Sequence, residues 1–303
     1  MTADARHSMA YAGSRRRAGD SLAARLWHGR AKYLAGAVCL FLIALTLAPL
    51  LASILASLKT AEEAAAVPPT YFPSVFSFES YERLWVYQAG LPTYLFNSFG
   101  TAFLTIAFTL ILTVPAGYAL GRFSIPGKEF LFVFLLLALI IPYQALLTPI
   151  FLQFAQMKLT NSIIGLAIIH TAIHLPFSLY IMRNSFEAVP RELEEAAVID
   201  GANSWQLLRS IFLPAVMPAI ITVSLFGFIT SWNEFLGALV MMSKGEAYTL
   251  PLVLTTARTQ TSLGGTDWGL LQAGVTISIV PCIGIYLLLQ RYYVAGFING
   301  AIK

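Results

Sequence analysis

Charge is scarce in this chain: Asp, Glu, Lys and Arg together make up 11% of its 303 residues. Soluble domains carry about a quarter, so a water-solvated globule is excluded. Metal and disulfide chemistry have little to build on. The 2 cysteines, Cys39 and Cys282, sit in apolar runs, and there is no CxxC or Cys/His cluster. A structural metal or a disulfide framework is therefore not indicated, and such cysteines behave as small core or lipid-facing residues. No Ser/His/Asp set, G-x-S-x-G turn or pair of catalytic carboxylates stands in a workable context, so nothing argues for covalent catalysis by this chain. A phosphate loop is missing too. It needs four residues between its glycines and a hydroxyl after the lysine. Gly121 and Gly127 are separated by five, and Glu129 follows Lys128. If ATP drives this protein, another chain must bind it.

What the chain has is apolar length: 57% hydrophobic residues and a mean hydropathy of +0.72. A membrane helix needs about 20 apolar residues. The sequence predicts six spans, near 33–58, 94–120, 130–154, 162–182, 215–242 and 270–290, the last interrupted at Pro281. The run at 33–58 exceeds the about 7–15 apolar residues of a signal peptide, so it is expected to stay as the first span. Residues 1–32 form a basic tail before it, and residues 59–92 form the longest loop, with Pro68, Pro69 and Pro73 and many aromatics. With few positive charges, that loop is expected to be extracytoplasmic and seated at the membrane interface, as a short helix or as a lid against a partner. The other five helices fall within 93–291, and 292–303 is a terminal tail. Prolines in every predicted span fit helices that line a path, because water or neighbours can satisfy the freed carbonyls.

The net charge of +4 is explained by its distribution rather than by nucleic acid, for which nothing else argues. Of the 19 Lys and Arg, 14 fall in the terminal segments and the 2–3 and 4–5 connections; Lys59, Arg83, Lys158, Lys244 and Arg258 fall in the others. Basic residues collect on the cytoplasmic side. Both termini and the connection after the fourth span are therefore expected in the cytoplasm.

That connection, 190–214, is markedly polar. Pro190 suits a first helical position, and the acidic residues after it suit the positive end of a helix dipole. Gly201 supplies a stop, and Asn203 or Ser204 can cap a second helix leading into Leu207, Leu208 and Ile211. The pattern predicts a helix–turn–helix, with Ala196 and Ala197 letting another surface come close.

Inside the spans, His170 and His174 are four apart and share a face. They lack the glutamate of an HExxH zinc site, so hydrogen bonds across helices or an aqueous path are the expected roles. Ser231-Trp232-Asn233-Glu234-Phe235 carries the clearest ionisable residue within a span. Glu234 can serve as a polar wall of a path, as part of a helix–helix hydrogen-bond cluster, or as a proton-coupling carboxylate.

Glu195-Ala196-Ala197, then Gly201, then Ile211, Leu213 and Pro214 resemble, at every marked position, the EAA loop of binding-protein-dependent ABC importer permeases. Asp200 and Ala202 are similar to the carbohydrate branch of that family. So are Asn97-Ser98, the run Ala116 to Phe123, Pro126-Gly127-Lys128, Pro176-Phe177, the Ser231–Phe235 run and the ending Gly296 to Lys303. The resemblance covers about residues 33–303 and is to the second, maltose-permease-like subunit. It implies an all-α integral membrane protein with six transmembrane helices and the type I ABC importer (MetI-like) permease fold. Residues 93–291 would be its transmembrane core and 190–214 its coupling loop. It further implies a cell inner membrane location, a second, pseudo-symmetric permease subunit, and an ATP-binding subunit dimer holding ATP and magnesium. An extracytoplasmic sugar-binding protein would dock outside. Glu195 would contact the ATPase or pin its own helix, Ala196 and Ala197 would allow close approach, Gly201 would make the turn, and Pro214 would pass movement into the fifth span. No cofactor would bind this chain. A different class, an ion-coupled secondary transporter using Glu234, His170 and His174, predicts inverted repeats, and no convincing similarity between the halves is visible.

Overall fold

The computed structural model describes residues 32–257 and 266–301, with side chains as far as 290. The basic tail up to residue 31, Arg258 and Lys303, which enter the charge argument, lie outside the described residues. The chain divides into two units, 1–55 and 56–303. The first holds most of one helix, α1 (Lys32–Ser57). In it Thr46 Oγ1 donates to the Leu42 carbonyl at 2.8 Å, which satisfies a polar group within the apolar run.

Helix is the regular secondary structure of the second unit among its described residues. Two short helices, α2 (Ala61–Ala64) and α3 (Glu79–Trp85), lie in the long loop. Glu63 accepts from Thr70 Oγ1 at 3.0 Å and from the Ser74 N–H at 3.0 Å, which folds the segment between them. Next come α4 (Leu91–Arg122), α5 (Lys128–Leu137), α6 (Tyr143–Gln156) and α7 (Ile163–Glu187). Then follow α8 (Arg191–Ile199), α9 (Ser204–Leu207), a π turn (Leu208–Phe212), α10 (Leu213–Ala215) and α11 (Met217–Asn233). Last are α12 (Leu236–Met241), α13 (Leu250–Ala257) and α14 (Trp268–Ala301).

The centre of the unit is the packing of α4 on α7. Thr101, Thr105, Thr109 and Thr113 are buried at four-residue spacing on α4. Gly117 and Gly121 continue that row towards α7: a Cβ on Gly117 would stand 2.7 Å from Met182 Cβ, and one on Gly121 would stand 3.1 Å from Phe186 Cβ. Between membrane helices apolar burial gives little drive, so small residues that let backbones approach supply the attraction. One apolar cluster joins the start of α4 to α11, α13 and α14 through Tyr94, Phe228, Trp232, Leu250 and Ala273. Another joins its end to α7 and the π turn through Tyr118, Met182, Phe186 and Phe212.

Among the described residues, four helices are long and apolar enough to cross a membrane: Lys32–Ser57, Leu91–Arg122, Ile163–Glu187 and Trp268–Gln290. Ser204–Ala215 with Met217–Asn233, bent by 69°, can make a fifth. Two predicted spans differ from their expected form. The third is divided into α5 and α6 by residues 138–142, where Pro142 has extended backbone (ψ 113°) and starts α6. The fifth does not run unbroken to 242 but ends at Asn233 and resumes at Leu236. In contrast, α14 runs through Pro281 without interruption. Trp232 Nε1 donates to the Ser278 carbonyl at 3.0 Å, one turn before that proline. The carbonyl that Pro281 leaves without its helical donor is that of Ile277, and the Trp232 bond falls on its neighbour.

Candidate functional site

The polar connection folds as a helix–turn–helix. Pro190 is the residue before α8 rather than its first helical residue: its ψ of 137° is extended, and the helix begins at Arg191. Glu192 and Glu194 occupy the first turn, where the dipole favours them. The helix stops at Gly201, which takes φ +83°. The Gly201 N–H donates to the Val198 carbonyl at 3.0 Å and the Ala202 N–H to the Ala197 carbonyl at 2.9 Å. These two bonds satisfy helix-end carbonyls in the Schellman pattern. Asn203 starts the next helix with a reciprocal capping box: its Oδ1 accepts from the Gln206 N–H at 2.9 Å, and Gln206 Oε1 accepts from the Asn203 N–H at 2.8 Å.

The π turn then closes with the Leu213 N–H donating to the Leu208 carbonyl. Pro214 follows and has no N–H to offer the Ser210 carbonyl, so a widened turn at this point avoids a broken α-helical bond. At Val216 the chain bends into α11.

The marked residues of this motif do not share one direction. Glu195, Ala196, Asp200, Gly201 and Pro214 are exposed. Ala197 is half-buried and, with Ile211, packs against the cluster around Tyr118 and Phe212. Leu213 is half-buried. Ala197 therefore brings α8 close to its own membrane helices, and Ala196 is the alanine left facing outward. A cavity of about 710 Å³ lies beside α8, lined by Arg122, Ser124, Arg191, Glu194, Glu195 and Ile199 among others.

A second constellation surrounds Glu234, in the break between α11 and α12. Its carboxylate accepts from the Gly237 N–H at 2.6 Å and the Ala238 N–H at 3.2 Å, the first unpaired donors of α12. Tyr143 Oη on α6 donates to it at 2.9 Å, and His170 Nε2 on α7 lies 3.1 Å away. The other imidazole nitrogen, Nδ1, is 2.8 Å from Ser231 Oγ on α11. The break thus has a local cause: a carboxylate caps the helix that follows, and two flanking helices hold the carboxylate. His170 is 2% exposed at its side chain and Glu234 15%.

His174 pairs with Thr230 Oγ1 on α11. Both histidines on the shared face thus hydrogen-bond to the fifth span. Trp232 is buried at 1% exposure. Asn233 is exposed and donates back to the Ile229 carbonyl at 2.7 Å. Tyr143 also lines an apolar cavity of about 580 Å³, with Ile141, Gln144, Ile169, Ile173 and Pro176 among its walls.

Three residues central to this geometry were not among the sequence candidates. Tyr143 reaches Glu234, Arg122 reaches α8, and Arg183 pairs with Glu129 at 2.6 Å and Glu187 at 3.1 Å. Hydropathy marks Arg122 and Arg183 only as inner-loop charges; their pairing depends on residues from other helices.

Comparison with known proteins agrees with this architecture. The family model described as "Binding-protein-dependent transport system inner membrane component" matches residues 113–298. The chain is 31% identical over 241 residues to the diacetylchitobiose uptake system permease protein DasC of Streptomyces coelicolor, covering 78% of this chain and 84% of that one. It is 30% identical over 266 residues to the arabinooligosaccharides transport system permease protein AraQ of Halalkalibacterium halodurans, covering 87% and 93%. A solved bacterial ABC transporter involved in the import of the polysaccharide alginate has a chain of the same fold, at a TM-score of 0.75 and 24% identity, covering 87% of this chain and 97% of that one.

Proposed function

Because this chain belongs to the family of binding-protein-dependent transport system inner membrane components, we propose that it is the permease subunit of an ATP-driven sugar importer. The observation that carries this reading is the family match over 113–298, which spans the helix–turn–helix with EAA spacing. Relatives named for diacetylchitobiose, arabinooligosaccharide and sulfoquinovosyl glycerol transport support a carbohydrate-type cargo.

In this reading a second, pseudo-symmetric permease subunit completes the pathway. A separate ATPase dimer binds ATP and magnesium and hydrolyses the nucleotide, and an extracytoplasmic binding protein delivers the sugar. Both termini are cytoplasmic, 93–291 is the transmembrane core, and 190–214 is the coupling loop. The outward residues Glu195, Ala196, Asp200 and Gly201 seat α8 in a groove of the ATPase. Ala197 and Ile211 press the same motif onto its own membrane helices. Leu213 and Pro214 carry displacement into the fifth span. Closing the ATPase dimer draws the coupling loops together, which favours the conformation in which the loops are closer.

Near the far end of that span, Asn233, Glu234 and His174 contribute to the polar wall of the path. His170 and Trp232, both buried, stand behind it and hold its shape.

The test is purification through a tag on this chain, followed by uptake of labelled diacetylchitobiose and arabino-oligosaccharides. An ATPase is expected to co-purify, and uptake is expected to stop with orthovanadate. Absence of any ATPase after mild solubilisation, together with uptake driven by a proton gradient, would overturn the reading.

A further inference from the structure

Arg122 sits in the last turn of α4, where topology asks only for a positive charge in water. Its side chain is instead 4% exposed. Burying a guanidinium is costly unless it is paired and hydrogen-bonded. Its contacts offset part of that cost, although Nε itself has no hydrogen-bond partner among the described residues, and they come from three separate segments. Nη2 donates to the Val189 carbonyl, in the link between α7 and α8, at 2.6 Å. Nε lies 3.8 Å from Glu194 Oε2 on α8. The guanidinium carbon stands 4.6 Å from the centre of the Phe212 ring, at the end of the π turn.

Those partners are themselves fixed. Phe212 is buried between Tyr118 of α4, at 5.1 Å between ring centres, and Phe186 of α7, at 6.1 Å. By contrast, α8 buries none of its residues. It is held by its two chain connections, by Ala197 and by the Arg122–Glu194 contact. One planar group, reaching from α4, thus ties α8 to the two membrane segments on either side of it. Arginine's planar group can stack on a ring while its edge donates to a carbonyl, with the Glu194 carboxylate close enough for charge attraction.

We propose that Arg122 is a positioning residue that makes α8 move as one body with the end of α4 and the π turn, so that displacement of α8 reaches the second and fifth spans together. This rests on the importer reading, in which α8 is the element displaced. Energetic coupling can be carried by packed side chains, ion-pair contacts and rigid helices. The chain itself joins α8 to α7 and α11; its contact with α4 comes from side chains, Ala197 against the cluster around Tyr118 and Arg122 beside Glu194.

The test uses the full importer, purified through this chain and reconstituted in lipid nanodiscs. Spin labels are placed at Ser124→Cys, just beyond α4, and Glu192→Cys, on the first turn of α8. Their distance is measured before and after trapping with magnesium-ATP and vanadate. A second label pair, between Glu192→Cys and the ATPase, reports that α8 is engaged. In the otherwise wild-type chain the 124–192 distance is expected to stay unchanged on trapping. In R122A it is expected to shift on trapping, while the ATPase still co-purifies and hydrolyses ATP.

A role in stability alone would lower the amount of assembled complex but leave the distance insensitive to nucleotide. That result overturns the proposal, as does a distance that already shifts with arginine present. If R122A fails to assemble, R122K and Glu194→Gln are read in the same way. ATPase activity co-purifying with the wild-type chain separates failure of this proposal from failure of the importer reading.

Discussion

His170 bridges two positions of the fifth span: Nε2 lies 3.1 Å from Glu234 Oε2, and Nδ1 lies 2.8 Å from Ser231 Oγ. The imidazole therefore sits where α11 ends and the chain turns into α12. Removing it leaves a nearly buried carboxylate with one partner fewer. His170→Ala removes a hydrogen bond to a charged group and is expected to destabilise the protein by about 1.5–3 kcal/mol, because Tyr143 and two N–H groups remain. Tyr143→Phe removes one hydrogen bond to a charged group and is expected to cost about 1.5–3 kcal/mol. Thermal unfolding in detergent checks both. A loss below about 0.5 kcal/mol for either variant, the level of an ordinary surface change, would show that the network does not hold the break.

The row of small residues on α4 supports a second prediction. An added Cβ at Gly117 would meet Met182 Cβ at 2.7 Å, Met182 C at 3.0 Å and the Arg183 nitrogen at 3.1 Å. These atoms are backbone or persist in alanine. Gly117→Ala is expected to cost about 1–3 kcal/mol by overpacking, and Met182→Ala in the same chain is expected not to rescue it. Gly100→Ala, by contrast, would meet only the flexible tip of Ile163, at 3.2 Å, and should be tolerated. Folded yield and unfolding temperature distinguish the three variants; rescue by Met182→Ala would place the clash elsewhere.

The same two regions show how far the sequence could be read. Gly201 and Asn203 carry their own turn chemistry, so the helix–turn–helix was legible from a local stretch. The Thr101 to Gly121 row was also visible as a four-residue period, but hydropathy treats threonine and glycine as neutral and passes over it. The breaks at 138–142 and at Glu234 were not legible, because a long apolar run looks alike whether straight or divided. The capping of α12 by Glu234 depends on Tyr143 and His170, brought from other helices. Pro281 misled in the opposite direction: the donor beside its weakened turn, Trp232, comes from α11.

At the other end of α4 and α7, Arg183 donates to Glu129 Oε1 at 2.6 Å and to Glu187 Oε1 at 3.1 Å. The hydrogen bond from Arg183 holds the Glu129 carboxyl below its ordinary value of 4.5, against a smaller opposing effect of burial. A depressed folded value means that the contribution to stability is fully present above the unfolded value and is lost as pH falls through the folded one. The linkage of α5 to α7 is therefore expected to persist at pH 4.5 and to weaken only in more acid solution. Unfolding temperature against pH for the wild type and Glu129→Gln tests this. The two curves should differ above pH 4.5 and converge below it; parallel curves through the acid range would remove Glu129 from the account.

Gly201 separates the cost of folding from the cost of docking. Its φ is +83°, yet nothing stands within 4 Å of where a Cβ would be. A substitution there meets torsional strain and no clash. Alanine is expected to cost about 1–2 kcal/mol, the usual penalty of the left-handed region. Aspartate, whose short polar side chain tolerates that region better, should cost less than valine. If the turn faces an ATPase, however, Gly201→Asp should lose most uptake while insertion persists and unfolding temperature falls less than in valine, because the exposed position receives both bulk and a negative charge. Valine should lower unfolding temperature and uptake together. The decisive quantity is uptake per folded molecule. If it is unchanged in Gly201→Asp, the turn serves only to stop α8, and the docking surface must lie on another face of the helix.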